Sequence, residues 1–117
     1  MASEGVLATY HASVPRITNH FINDSPQTAN DGYIANLKKG TMKVAIGPLS
    51  YSDDPNKLKY EWYYKGTEDG TYALVENGTK VGESDFTPVN IGYYYCKIYN
   101  TYKGDTSFFD STEFVVA

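Results

Sequence analysis

One cysteine and two histidines are the side chains of this 117-residue chain best suited to nucleophilic chemistry or to binding a transition metal. Cys96 lies on the apolar side of an alternating segment, with no histidine near it in sequence. A thiol in apolar surroundings stays protonated and inert, so we interpret Cys96 as a structural core residue. His11 and His20 have no further histidine or cysteine at ligand spacing, and we interpret both as ordinary surface residues.

Oxygen-bearing side chains cluster in one segment, where Asp53 and Asp54 lie between Ser52 and Asn56. Such oxygens can bind Ca²⁺, but their spacing does not match an EF-hand loop. Asp and Asn beside proline are common in turns, so a solvated turn is the favoured interpretation. The chain shows no Ser-His-Asp order, phosphate-binding loop or paired catalytic carboxylates. We therefore expect no enzyme activity, no cofactor and no metal site.

Twelve tyrosines are the most unusual feature of the composition, and several alternate with charged residues. Aromatic rings interleaved with charges make a surface that can bind another protein or stack on sugars. The alternative is that exposed tyrosines only stabilise pairs between neighbouring strands. We favour binding, and the candidate binding face consists of Tyr63, Tyr93, Tyr95, Lys97 and Tyr99.

Two segments position these residues, 58–64 and 90–100, because each alternates with the period of two that is typical of a half-buried strand. Asn77-Gly78 predicts a two-residue hairpin between two shorter strands. The further predicted strands cover residues 33–37, 42–46, 72–76, 79–81, 85–87 and 112–116. About seven to nine short strands with frequent turn signals predict an all-β sandwich.

A tryptophan strand followed by Gly-x-Tyr-x-Cys resembles the C and F strands of an immunoglobulin-like sandwich. The matching pieces are Leu58-x-Tyr60-x-Trp62-Tyr63-x-x-Gly66, Phe86-x-Pro88 and Gly92-Tyr93-Tyr94-Tyr95-Cys96. From about residue 15 to 117 the chain is similar to bacterial and phage immunoglobulin-like domains of surface and virion proteins. The resemblance implies a Greek-key β-sandwich over residues 15–117. It also implies a set of core residues, which are Trp62, Tyr94, Cys96, Val44 and Gly92.

The resemblance gives two of these residues particular roles. Trp62 takes the central core position, and Tyr94 takes the tyrosine-corner position, with its hydroxyl expected to bond back to the backbone. Val44 or a neighbour stands where disulfide-bearing members have their first cysteine. Since the chain has one cysteine, an apolar core must replace the disulfide. This omits about 2–4 kcal/mol of constraint on the unfolded state.

Residues 1–14 lie outside the resemblance and form an N-terminal arm or an extra edge strand. Their alternation is that of a weak strand signal, which Pro15 ends. The apolar side of the arm carries no charge that would discourage pairing with another strand. We therefore interpret it as a candidate assembly arm, with Val6, Ala8, Tyr10, Ala12 and Val14 on one side.

Composition and charge limit the classes of partner that the chain is expected to bind. A formal net charge of −4 argues against nucleic acid, and no segment resembles a membrane span or a signal peptide. The favoured hypothesis is a non-enzymatic phage virion protein, made in the host cytoplasm. It would be a virion accessory or capsid decoration protein that binds a capsid or tail protein through the arm. The alternative is a carbohydrate-binding or adhesive module on a bacterial cell surface, with a cell-surface glycan as its ligand.

Overall fold

A computed structural model describes residues 10–28, 33–35 and 40–117. Within these ranges the chain forms nine strands and no helix, so the predicted all-β fold is confirmed. The strands are β1 (Ile17–Ile22), β2 (Ser25–Gln27), β3 (Tyr33–Ala35), β4 (Met42–Ile46), β5 (Lys59–Lys65), β6 (Ala73–Val81), β7 (Gly92–Tyr102), β8 (Asp105–Asp110) and β9 (Phe114–Val116). No helix that could span a membrane is found in the part of the chain that is described.

The strands form two sheets. Three strands make the smaller sheet, in the order β2-β1-β4. The larger sheet has the order β3-β9-β7-β5-β6, and β8 pairs with β7 as well. Strands β3 and β9 run parallel, and every other pair of neighbouring strands in the described part of the chain is antiparallel. Both sheets contribute apolar side chains to one core, as the period of two in β5 and β7 requires.

Trp62 lies at the centre of this core with none of its surface exposed. Its ring centroid is 5.5 Å from that of Phe86 and 5.5 Å from that of Phe114. Its indole Nε1 donates a hydrogen bond of 2.8 Å to the carbonyl oxygen of Ser84. The one polar atom of the buried ring is therefore satisfied by backbone, as a buried indole requires.

The predicted hairpin at Asn77-Gly78 is wrong, because β6 continues through both residues. Glu61 pairs with Thr79 and Tyr63 pairs with Leu74, so two residue steps on β5 face five on β6. Asn77 has a φ of 62°, and an added Cβ on Gly78 would lie 2.9 Å from the carbonyl oxygen of Val75. Asn readily adopts the left-handed conformation that a tight turn needs. In this chain the same conformation of Asn77 forms part of a β-bulge.

Two further strands differ from the prediction. Residues 85–87 contribute only an isolated bridge between Phe86 and Met42. The predicted strand 112–116 begins at Phe114, and Thr112 is exposed outside it. Between β8 and β9 the side chain of Ser111 accepts a hydrogen bond of 2.8 Å from the backbone N–H of Cys96. The Ser111 side chain thus replaces a backbone hydrogen bond to β7 at the point where pairing with β8 ends and pairing with β9 has not yet begun.

The N-terminal segment also differs from the predicted strand, since residues 10–14 form none. Ala12 is buried at 5% exposure, whereas Tyr10 and Val14 are exposed at 43% and 40%. The backbone N–H of Ala12 donates to Oδ2 of Asp105 at 2.7 Å, and the Ser107 hydroxyl donates to the Ala12 carbonyl at 2.7 Å. Two side chains of β8 therefore bond to the backbone N–H and C=O groups of Ala12 that would otherwise pair with a neighbouring strand. Val6 and Ala8 lie outside the described residues.

Candidate functional site

The outward side of β5, β7 and β8 carries a continuous set of aromatic and charged side chains, which we call the tyrosine face. All five residues of the candidate binding face lie on it. Its side chains form four cross-strand rows: Lys65 with Tyr93, Tyr63 with Tyr95, Glu61 with Lys97 and Asp110, and Lys59 with Tyr99 and Phe108. Residues opposite each other on antiparallel strands have side chains in contact range, so each row is a set of interacting groups.

Ring pairs occupy the middle of the tyrosine face. The rings of Tyr63 and Tyr95 stack with centroids 5.0 Å apart and planes 10° from parallel. Tyr72 meets the Tyr95 ring edge to face, at 4.7 Å and 90°. The hydroxyl of Tyr63 donates to Oε1 of Glu61 at 2.8 Å, and that of Tyr72 bonds to the carboxylate of Glu113. All three rings therefore have a fixed ring partner, and the hydroxyls of Tyr63 and Tyr72 each have a fixed carboxylate partner.

Lysines cover further rings of the tyrosine face. The Nζ atom of Lys65 lies 4.9 Å from the ring centroid of Tyr72 and 5.4 Å from that of Tyr93. Nζ of Lys59 lies 4.5 Å from the centroid of Tyr99. In the same way, Lys97 covers Phe108 at 4.4 Å. Each such contact contributes about 0.5–1 kcal/mol at an exposed site.

Glu61 is the anion at the centre of this network. Burial alone would raise the pKa of its carboxyl group, but hydrogen bonds from the Tyr99 and Tyr63 hydroxyls lower it, and so do the charges of Lys59 and Lys97. The net direction is downward, which keeps Glu61 ionised at neutral pH. Burial and the bond to Glu61 raise the pKa of Tyr63, so that hydroxyl remains a donor.

Some residues of the tyrosine face were not predicted from sequence. Tyr72, Asp110, Ser111 and Glu113 form a shallow depression of about 260 Å³ together with Tyr95. Both residues fall within predicted strands, 72–76 and 112–116. In the structure, however, Tyr72 precedes β6 and Glu113 precedes β9, so strand alternation does not give the direction of either side chain. Phe108 lies in β8, where its alternation after the turn at 103–104 is the one signal that could have found it.

Four of the five predicted core residues are buried, namely Trp62, Tyr94, Cys96 and Val44, and Gly92 is half-buried. The hydroxyl of Tyr94 donates to the carbonyl of Asn90 at 2.8 Å, a bond back to the backbone as in a tyrosine corner. Gly92 has a φ of 145°, and an added Cβ would lie 2.6 Å from Cε1 of Tyr64. Val44 is 5% exposed. Cys96 is fully buried, and burial raises the pKa of its thiol, which leaves it unsuited to nucleophilic attack.

Three of the side chains considered for metal binding, His20, Asp53 and Asp54, accept hydrogen bonds from backbone N–H groups. His20 is not an ordinary surface residue, because its ring stacks on Tyr33 at 4.3 Å and its Nε2 accepts a bond of 3.2 Å from the N–H of Thr112. Asp53 accepts a bond from the N–H of Lys103 through Oδ1, at 3.0 Å. Oδ1 of Asp54 accepts a bond from the N–H of Asn56, also at 3.0 Å. No group of three metal-binding side chains occurs in residues 10–28, 33–35 and 40–117.

A separate cavity of about 540 Å³ lies between β6 and residues 86–90. Leu74, Val75, Phe86 and Val89 provide much of its wall. Two tyrosines also line it, but the Tyr94 hydroxyl bonds to the backbone as described above, and that of Tyr64 donates to the Ile91 carbonyl at 2.9 Å. This cavity offers apolar surface without an arrangement of acid, base and nucleophile.

Comparisons of the chain with models of protein families, with curated proteins and with solved structures gave no match.

Proposed function

We propose that the chain is a non-enzymatic interaction module that binds a protein partner through the tyrosine face. The observation that carries the proposal is the set of ring–ring and lysine–ring contacts across β5, β7 and β8. Tyrosine is among the residues that contribute most to binding at protein interfaces. Side chains already fixed in one arrangement lose less conformational entropy when a partner binds.

The same contacts favour a protein partner over a stacked sugar at this face. A sugar ring that stacks on tyrosine needs a free face of the aromatic ring. Tyr63 and Tyr95 each take up one face of the other's ring, and the ammonium group of Lys59 takes up one face of Tyr99, so less ring surface is free for a sugar than on isolated tyrosines. What the face offers outward is a mixture of ring edges, hydroxyl groups and charges of both signs. Such a mixture suits the polar and aromatic surface of another protein.

An immunoglobulin-like architecture is part of the proposal. It is supported by the burial of Trp62 on β5 beside β7, and by the bond from Tyr94 to Asn90. It is also supported by the placement of β4 in one sheet and of β5 and β7 in the other. Within this class we favour a phage virion accessory or decoration protein that binds a capsid or tail protein. That setting rests on the resemblance of residues 58–66 and 86–96 to virion and surface domains.

The test is co-sedimentation of the purified protein with the capsids and tails encoded beside its gene. We expect the unaltered chain to sediment with one of them, and Tyr63→Ser/Tyr95→Ser to lose at least tenfold in affinity. Tyr51→Ser is the matched control, because Tyr51 is an exposed tyrosine outside the tyrosine face. Absence of sedimentation would overturn the virion setting. Binding that survives the double substitution, in a variant shown to be folded by its melting curve, would overturn the tyrosine face.

A further inference from the structure

Three tyrosines from three separate parts of the chain meet at the end of the molecule where β7 turns into β8. Tyr10 comes from the N-terminal segment, Tyr51 from the loop between β4 and β5, and Tyr102 from the end of β7. The ring centroids of Tyr10 and Tyr102 are 5.9 Å apart, and those of Tyr51 and Tyr102 are 5.5 Å apart. With His11 they line a cleft of about 410 Å³, which we call the tip cleft.

Hydrogen bonds hold two of these segments together. Ser13 donates its N–H to the carbonyl of Tyr51 at 3.0 Å, and its hydroxyl accepts the N–H of Tyr51 at 2.9 Å. Below them, Nδ2 of the fully buried Asn100 donates to the carbonyls of Ser13 and Tyr51, at 2.8 and 2.9 Å. The tip cleft is thus supported by fixed backbone, although Tyr51 itself is 56% exposed.

The rings of the tip cleft are arranged differently from those of the tyrosine face. Tyr102 is inclined by 81° to Tyr10 and by 54° to Tyr51, so the rings form the walls of a cleft instead of covering each other. Lys103 places its Nζ 4.8 Å from the centroid of Tyr10 and 5.6 Å from that of Tyr102. Among the described residues, no lysine or arginine lies over the ring of Tyr51. Tyr51 therefore has ring surface to offer to a ligand.

Local charge decides the class of ligand. Lys103 is the cation of the tip cleft, but Asp53 accepts its backbone N–H and Asp105 accepts the N–H of Ala12. These two carboxylates offset the ammonium charge, and the whole chain carries a net charge of −4. An anionic ligand would gain little here. A pyranose presents a C–H face to an aromatic ring and hydroxyls to polar groups, and the cleft volume falls within the range of small-molecule sites.

We propose that the tip cleft binds a neutral saccharide, with Tyr51 as the stacking platform and Tyr10 and Tyr102 as walls. The site is distinct from the tyrosine face, so the molecule has one surface for a protein and another for a glycan. Both can be occupied together, because the tip cleft lies at the end of β7 and the centre of the tyrosine face lies near Tyr95.

The experiment titrates the protein with a panel of neutral hexose and N-acetylhexosamine oligosaccharides, and with sialylated versions of the same glycans. Binding is followed by backbone amide chemical shifts. We expect at least one neutral glycan to shift residues 10–11, 51 and 102–103 at millimolar concentration or below. We expect Tyr51→Ser to weaken its binding at least tenfold, while Tyr51→Phe, which keeps the ring, stays within threefold. Tyr95→Ser on the tyrosine face is the matched control and should leave glycan binding unchanged.

Three outcomes would overturn the proposal. The first is that no neutral glycan shifts these amides. The second is binding of sialylated glycans only, which would make Lys103 and not the rings the recognition element. The third is an equal loss of binding in Tyr51→Ser and Tyr95→Ser. Capsid or tail binding and glycan binding are measured on the same variants, so the absence of one kind of binding while the other is intact shows which of the two proposals has failed.

Discussion

His20 is a half-buried residue whose surroundings disfavour its protonated form. Its ring lies between β1 and the larger sheet, stacked on Tyr33 and 5.7 Å from the ring centroid of Phe114. Burial lowers the pKa of His20 below its ordinary value of 6.5. The neutral ring also accepts a hydrogen bond from Thr112 through Nε2, and protonation of that nitrogen would remove the acceptor. Both effects favour the neutral form in the folded chain.

We therefore predict that the free energy of unfolding decreases as the pH falls through 6.5 toward the lower pKa of the folded state. In that window the unfolded chain binds more protons at His20 than the folded chain does, so protons favour unfolding. His20→Phe keeps a ring against Tyr33 but cannot titrate. Urea melts at pH 7.5 and pH 5.5 should show a smaller loss for the variant than for the unaltered chain. Equal losses would mean that His20 is not the group responsible.

At the residue scale, sequence was informative where a local pattern decides burial. Period two located the buried side of β7, and with it Tyr94 and Cys96. It also places Asn100 on the buried side, but it could not show which groups satisfy that polar side chain, nor that Ser84 is buried, because their partners are distant in sequence. Ser84 bonds to Val44, 40 positions away, and Asn100 bonds to Ser13, 87 positions away. Hydrogen bonds between residues so far apart in sequence cannot be predicted from the local sequence around either partner.

At the scale of elements, the outer edge of β4 shows how a side chain can replace a strand. Met42 exchanges backbone bonds with Phe86 at 2.8 and 2.9 Å, but the pairing goes no further. At Val44 the hydroxyl of Ser84 accepts the N–H at 2.9 Å and donates to the carbonyl at 3.0 Å. One side chain thus satisfies both backbone groups of Val44 that would have paired if the strand at Phe86 had continued back to Ser84.

Ser84→Ala is predicted to lower the free energy of unfolding by about 1–3 kcal/mol, because it leaves buried backbone groups of Val44 without partners. Thr18→Ala is the matched control. It removes an exposed hydroxyl whose bond to the Ala45 carbonyl is 3.4 Å long, and it should cost less than about 0.5 kcal/mol. Chemical denaturation of both variants checks the difference. Equal costs would show that Ser84 does not substitute for the strand.

The bulge in β6 explains why one element was misassigned. Asn-Gly supplies a left-handed residue followed by a residue without a side chain, and both a tight turn and a bulge can use that pair. The choice is made by β5, which pairs with residues on both sides of the bulge. Nothing within residues 72–81 carries that information. The short strand β3 and its parallel partner β9 depend in the same way on contacts between distant segments.

At the scale of the whole molecule, the N-terminal segment belongs to the folded body at least from Ala12. Its backbone groups bond to side chains of β8, to Tyr51 and to Asn100, as described above. The resemblance alone would begin the domain at residue 15, which leaves these bonds outside it. Truncations before residue 10 and before residue 15 are therefore expected to differ in their effect on stability.

We predict that removal of residues 1–9 changes the melting temperature little, because it removes none of these bonds. Removal of residues 1–14 should lower the free energy of unfolding by at least about 2 kcal/mol, since several hydrogen bonds are lost and one acceptor of the buried Asn100 amide disappears. Thermal and urea melts of the two truncated chains check this. Similar melts for both would place the boundary of the folded body after residue 14.

The bulge of β6 also bears on how copies of the chain behave at high concentration. Among the described strands, β6 forms one edge of the larger sheet, and Leu74 and Val81 on it are 49% and 63% exposed. A flat outer strand with such residues invites aggregation, in which sheets of different molecules join edge to edge. The extra residues around Asn77 and Gly78 break the regular spacing of its free N–H and C=O groups. The irregularity that costs β6 a regular ladder with β5 thus also disfavours edge-to-edge pairing with the same strand of another copy.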